Sequence, residues 1–161
     1  MIVLGVDPGT ARMGWAVIED DPEVRSIDYG LTTTRSTTAM PIRLREIHAS
    51  VAALIDRFRP AVVVVEQLFF ARNVTTALAV GQARGVVLLA AAQRDVIVAE
   101  YTPSEVKQAV VGYGKADKRQ MQEMVRMILG LDRVPSPDDV ADALALAVCH
   151  AHTSSFAHHT L

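Results

Sequence analysis

Cysteine is almost missing from this sequence: Cys149 is the single one among 161 residues. One thiol excludes an internal disulfide and any zinc site built on paired cysteines, and its place in an alanine-rich helical pattern reads as a buried structural residue. Long apolar runs are missing too. Stretches such as Ala61 to Val65 and Val86 to Ala92 are far too short to cross a bilayer, and the first residues lack the basic-then-apolar order of an export signal, so the cytoplasm is the expected location. There is no internal repeat, low-complexity tract or interdomain linker, which leaves a single domain over residues 1–153 and a frayed, His-rich tail over 154–161.

An excess of positive charge is also lacking. The net charge of −2 does not advertise a nucleic-acid binder, but its distribution says more than the sum. From Arg72 to Arg133 nine Lys or Arg stand against six acids, whereas Met1 to Ala71 has seven against nine. Such segregation can give a basic face to an acidic protein, and it is equally compatible with solvated helices.

What is present reads as an α/β chain. Ile2 to Asp7 is a β-branched, apolar strand ended by Pro8-Gly9, and Gly14 to Glu19 and Val24 to Thr34 follow as two more strands around an Asp20-Asp21-Pro22 turn. Ser36, Thr37 and Thr38 offer N-cap hydroxyls for a helix whose apolar positions from Ile42 to Phe58 recur at helical spacing until Pro60. Ala61 to Val65, closed by Glu66, has the unbroken apolar character of a central parallel strand, and the right-handed crossover rule returns it beside the first strand. Thr75 to Gln93 is a long helix pattern carrying Gly81 and Gly85, Asp95 to Tyr101 a short strand, and Pro103 to Val111 a helix. A glycine-rich basic loop, Gly112 to Asp117, precedes an amphipathic helix from Lys118 to Leu129; a proline-punctuated connector then leads to a last helix, Asp138 to His152.

The chemistry lies in carboxylates. Asp7 and Glu66 close neighbouring strands, where the carboxyl edge of an α/β sheet forms ligand crevices. Asp139 and Asp142 are three apart on the last helix, about 60° around its axis and so on one face; taken alone, Asp138, Asp139 and Asp142 equally suit a helix N-terminus. Four clustered carboxylates raise one another's pKa, and hard divalent cations relieve that strain with oxygen ligation. Two ions about 4 Å apart would serve in-line displacement at a phosphate, with Asp7 as the ligand between them.

The segments Gly5-Val6-Asp7-Pro8-Gly9-Thr10, Val64-Val65-Glu66-Gln67-Leu68-Phe69-Phe70, Gly81-Gln82-Ala83-Arg84-Gly85, Val106-Lys107-Gln108-Ala109-Val110-Val111-Gly112 and Asp138-Asp139-Val140-Ala141-Asp142-Ala143-Leu144-Ala145 together closely resemble the RuvC family of bacterial Holliday-junction resolvases, in order and over nearly the whole chain. The resemblance implies an RNase H-like fold with a five-stranded mixed sheet flanked by α-helices, a homodimer, and Mg²⁺- or Mn²⁺-dependent paired nicking of four-way DNA junctions that leaves 5′-phosphate and 3′-hydroxyl ends. It places the metal-binding acids on Asp7, Glu66, Asp139 and Asp142, with two ions per subunit. Histidine stands in some members where this chain has Asp139, so the sequence leaves open a share for Asp138. Contact with RuvA- and RuvB-type branch-migration proteins is a further implication.

Phe69 and Phe70, just past the Glu66 strand, divide between a core role and a wedge against unstacked bases; the resemblance favours Phe69 as the wedge. Lys107, Lys115, Lys118 and Arg119 surround the glycine loop and suit phosphate contacts, Lys107 and Lys118 being those the resemblance puts nearest the scissile phosphate. Arg72 and Asn73 are weaker candidates for DNA contact. The apolar helix Thr75 to Gln93 fits either the monomer core or a twofold interface. His150, His152, His158 and His159 read as solvated. Two other functions are weighed. Asp7-Pro8-Gly9-Thr10 also suits the phosphate hairpin of actin-like kinases, but that superfamily repeats the hairpin and this chain does not; a junction-binding module without catalysis is disfavoured by the presence of all four acids.

Overall fold

The computed structural model describes residues 1–67 and 73–158, with side chains up to Ser154. Leu68 to Arg72, and with them the Phe69, Phe70 and Arg72 candidates, lie outside the described residues, as does His159. Five strands and five helices follow in the order β1 (Ile2–Asp7), β2 (Arg12–Asp20), β3 (Val24–Thr33), α1 (Met40–Phe58), β4 (Val62–Glu66), α2 (Val74–Ala92), β5 (Ile97–Tyr101), α3 (Pro103–Val111), α4 (Lys118–Ile128) and α5 (Asp138–His158).

The sheet order is β3-β2-β1-β4-β5, the first three strands an antiparallel meander and β1, β4 and β5 parallel. This is the mixed five-stranded sheet the sequence implies, with β4 returning beside β1 across the α1 crossover. Strand periodicity then divides the core. Val3, Val62 and Val64 face one layer, packed with Val140, Leu144 and Val148 of α5; Leu4, Val6, Val63 and Val65 face the other, packed with Ile47 and Val51 of α1 and Val87 of α2. Asp7 shares the parity of Val3, and Glu66 that of Val62 and Val64. Both acids therefore project from the strand ends on the α5 side.

Two glycines set how closely α5 lies on that face. A Cβ on Gly5 would stand 2.1 Å from the Ala143 carbonyl oxygen, and one on Gly14 would stand 1.9 Å from that of Asp139. Gly5 thus makes room for helix α5, and Gly9 lies against the Arg12 carbonyl in the β1–β2 turn.

Helix ends follow local chemistry, with one departure. Thr102 with Glu105, and Asp117 with Gln120, form reciprocal capping boxes at α3 and α4. At α1 the cap is Ala39, without a side-chain hydrogen bond, so Ser36, Thr37 and Thr38 do not cap it; Pro41 in the first turn supplies the start instead, and Arg59 in a left-handed conformation ends it before Pro60. Helix α5 runs past the expected His152 end to His158. Helix α2 as a whole is long and apolar enough to span a bilayer, which the unbroken runs alone do not reveal. Here its Ala83, Val87, Ala90 and Ala91 are buried in the core, and Arg84 is ion-paired to Glu100 of β5.

Candidate active site

Asp7 pairs in register with Gly14, and Gly14 lies directly beneath the Asp139 backbone. The absence of a side chain on β2 thus presses the first turn of α5 onto the end of β1. Asp139 and Asp142, a turn apart, come to the same sheet edge as Asp7 and, one step beyond the Val6–Val65 pair, Glu66. Four acids from two strands and one helix converge without sequence proximity.

Their electrostatics show the convergence. Asp7 is pushed up to about 8, first by burial, then by the charges of Asp142, Asp139 and Glu66, with a hydrogen bond to Asp139 adding to the effect. Glu66 and Asp142 keep solvent access at the rim, yet desolvation by the cleft walls also raises them; Asp142 adds to the shift of Glu66, Lys107 opposes it, and Lys118 opposes the rise of Asp142. Asp139 Oδ2 is buried without a hydrogen-bond partner, its nearest cation being Arg12 Nε at 3.4 Å.

Asp138 has a different environment. Its Oδ2 lies 2.6 Å from Lys118 Nζ and its Oδ1 accepts from Gln122 Nε2 at 3.0 Å, which together hold its carboxyl below the usual range. The geometry separates the two adjacent acids: Asp139 joins Asp7, whereas Asp138 is engaged by α4.

Three of the four acids, Asp7, Glu66 and Asp142, open onto a cavity of about 330 Å³ that Lys107, Lys118 and Gln122 also line, over an apolar floor from α3, α4 and α5. Lys107 and Lys118 are therefore brought to the carboxylates. Lys115 and Arg119 are exposed and do not line the cavity, and Asn73 Oδ1 caps α2 by accepting from Thr75 and Thr76 N–H groups.

No three His, Cys, Asp or Glu side chains among the described residues already form a closed metal cage. The donor set nevertheless fits a hard divalent cation. It is all oxygen, it holds one buried oxygen with no donor, and it contains a carboxyl that burial and its acidic neighbours push up to about 8.

Comparison with known proteins decides the family. The model of the family "Crossover junction endodeoxyribonuclease RuvC" matches residues 3–150. This chain belongs to the RuvC family. The RuvC protein of Chloroflexus aggregans is 58% identical over 155 residues, covering 96% of this chain and 94% of that protein. The structure of Thermus thermophilus RuvC in complex with Holliday junction substrate superposes with a TM-score of 0.93 at 40% identity, covering 98% of this chain and 96% of that one. At 15% identity the yeast mitochondrial Holliday junction resolvase Ydc2 shares the fold alone, with a TM-score of 0.70 and coverage of 98% and 82%. As a member of that family, the chain is an RNase H-like α/β nuclease.

Two sequence expectations change. His150 and His152 are not solvated: His150 Nδ1 lies 2.9 Å from the Tyr101 hydroxyl and His152 Nδ1 lies 2.9 Å from the Ala109 carbonyl, and burial holds His150 below its ordinary value. Both tie α5 to the β5–α3 segment. Cys149 is buried, and burial pushes its thiol up to about 11. Sequence reasoning missed Arg12, beside Asp139, and Gln122, beside Asp138. Arg12 is signalled only by its place after the Asp7 turn.

Proposed function

We propose that this chain resolves four-way DNA junctions by hydrolytic nicking of two symmetry-related strands, with Asp7, Glu66, Asp139 and Asp142 holding the divalent metal. The observation that carries this reading is the convergence of those four acids on one sheet edge, with Asp7 raised to about 8 by burial and by the other three. Mg²⁺ or Mn²⁺, two ions per subunit, would supply Lewis-acid activation of water and charge neutralisation at the leaving oxygen. Water attacks phosphorus, the P–O3′ bond breaks, and 5′-phosphate and 3′-hydroxyl ends remain for ligation.

The protein's own groups orient and balance charge. Lys107, whose charge acts on Glu66, and Lys118, on the opposite wall, bracket the cavity and receive the scissile phosphate. Phe69 acts as the wedge at the junction centre, with Phe70, Arg72, Asn73, Lys115 and Arg119 as flanking DNA contacts.

A homodimer supplies the second active site. On α2, Val74, Leu78, Gly85 and Leu89 fall within about 60° of one another around the axis; the three large side chains are exposed by 68%, 65% and 51%, and a Cβ on Gly85 would meet nothing within 4 Å. That outward apolar stripe, smooth at its centre, suits an isologous contact with a second copy. We also assign a single nuclease domain over residues 1–153, a cytoplasmic location and contact with RuvA- and RuvB-type proteins.

The test is incubation of the purified chain with a mobile four-way junction and with linear duplex of the same sequence, in Mg²⁺, Mn²⁺ or chelator. Paired nicks confined to the junction and dependent on metal are expected. Equal cutting of linear duplex, or cutting in chelator, would overturn the assignment.

A further inference from the structure

Arg84 lies in a mostly apolar helix, and nothing in the site described above uses it. Its side chain is only 17% exposed, and its Nη2 is 2.5 Å from Glu100 Oε1 on β5. Its Nε is buried with no hydrogen-bond partner. A guanidinium is permanently charged and carries five donors in a planar fork, and a buried donor left without an acceptor is destabilising. An ion pair tying α2 to β5 accounts for Nη2 and leaves Nε unexplained.

The surroundings of Arg84 indicate what its spare donors serve. It lines a cavity of about 190 Å³ together with Asp7, Glu66, Gln67 and Pro103. Asp7 and Glu66 also line the larger cavity that holds Lys107 and Lys118. The two acids are thus a wall shared by two openings, with the lysines lining one and the arginine the other. Glu100, 39% exposed, is a partner open to solvent, so it binds the guanidinium at one end and leaves positive charge beside the reacting edge.

We propose that Arg84 is a phosphate-binding residue of this site: its guanidinium, of which only Nη2 is engaged by Glu100, donates to a non-bridging oxygen of a DNA phosphate adjacent to the scissile one, from the α2 side of Asp7 and Glu66. The inference rests on the junction-nicking reading. It adds a third cation, beside Lys107 and Lys118, at the reacting edge and makes α2, whose other face is the apolar stripe, part of the cleavage site. Arginine suits this place better than lysine because one nitrogen of the fork can stay on Glu100 while its other N–H groups reach the phosphate.

The experiment compares the full chain with R84Q, R84K and E100Q. Junction binding is measured across a salt series in Ca²⁺, and single-turnover nicking of bound junction in Mg²⁺. R84Q is expected to lower the slope of log affinity against log salt by about one phosphate's worth, near 0.9, and to slow nicking by about tenfold or more. R84K restores the slope but only part of the rate, and E100Q keeps both within about twofold. If R84Q and E100Q fall together with the wild-type slope unchanged, Arg84 is a strut between α2 and β5 and the proposal is wrong. Should R84Q fail to fold, E100Q decides: retained nicking with an equal or steeper salt slope supports phosphate binding, and loss of nicking overturns it. Failure of the wild type to nick junctions would overturn the functional reading instead, while the R84Q salt slope still reports on the arginine.

Discussion

Lys118 Nζ lies 2.6 Å from Asp138 Oδ2, and this contact assigns different tasks to two adjacent acids at the start of α5. Asp138 holds a lysine of α4, while Asp139, the next residue, stands with Asp7. The pair lifts Lys118 above its ordinary value and holds Asp138 below its own.

Removing the Asp138 charge should therefore have a small effect where removing the Asp139 charge has a large one. Asp138→Asn is expected to keep junction nicking within about fivefold, since Gln122 and the new amide can still position Lys118, and Asp139→Asn to lower it by about a hundredfold or more. Single-turnover rates on a four-way junction check this. Equal losses would place Asp138 among the metal ligands.

The close seating of α5 gives a second prediction. At Gly14 an added Cβ would overlap the Asp139 carbonyl at 1.9 Å, where only backbone could yield. Gly14→Ala should cost about 1–3 kcal/mol or more in stability, seen as a fall in melting temperature, and should abolish nicking by moving Asp139 and Asp142 away from Asp7. A variant with full activity would show that α5 can shift without loss of the site.

Strand ends were legible in the sequence, since Asp7 and Glu66 each close an apolar run and meet at one carboxyl edge; the folded sheet adds that parity with Val3 and with Val62 and Val64 puts both on one face. The spacing of Asp139 and Asp142 showed a shared helical face, but not which sheet edge it meets. That depends on Gly5 and Gly14, whose role appears only once α5 lies across β1 and β2. Ser36 to Thr38 looked like a cap because hydroxyls compete well for free N–H groups, yet the helix begins at Met40 beyond their reach. His150 and His152 looked solvated from their nearness to a polar tail, and α5 continues as helix past both. The separate duties of Asp138 and Asp139 could not be read from sequence, since adjacent helical residues point about 100° apart and only the position of α4 decides which one meets Lys118.

Stability should depend on pH in a particular direction when metal is removed. Asp7 is raised to about 8 from 3.8 in the unfolded chain, and Glu66 and Asp142 shift the same way. Between those values the folded state binds more protons than the unfolded state, so stability falls as pH rises through the window from about 4 to about 8. In chelator, melting temperature should drop from pH 5 to pH 8.5. Asp7→Asn should flatten that slope and melt higher than wild type at pH 8.5, by about 2–4 °C for each kcal/mol of repulsion relieved. A wild-type melting temperature that rises over this range would contradict the clustering of the acids.

Metal binding should run opposite to that slope. Below about pH 8 an ion must displace a proton from Asp7, so affinity for Mn²⁺ should increase by up to about tenfold per pH unit between pH 6 and 8, with proton release on binding. Calorimetry in two buffers of different ionisation enthalpy measures both. Binding that is independent of pH and releases no proton would exclude Asp7 as a ligand.

The most direct measurement is nicking of a four-way junction by the single variant Asp7→Asn, with junction binding followed in parallel. Wild type should place paired nicks in Mg²⁺ or Mn²⁺, and the variant should bind the same junction at least as tightly while nicking about a thousandfold more slowly or not at all. Unchanged nicking by Asp7→Asn would contradict the assignment of the four-carboxylate edge as the catalytic centre.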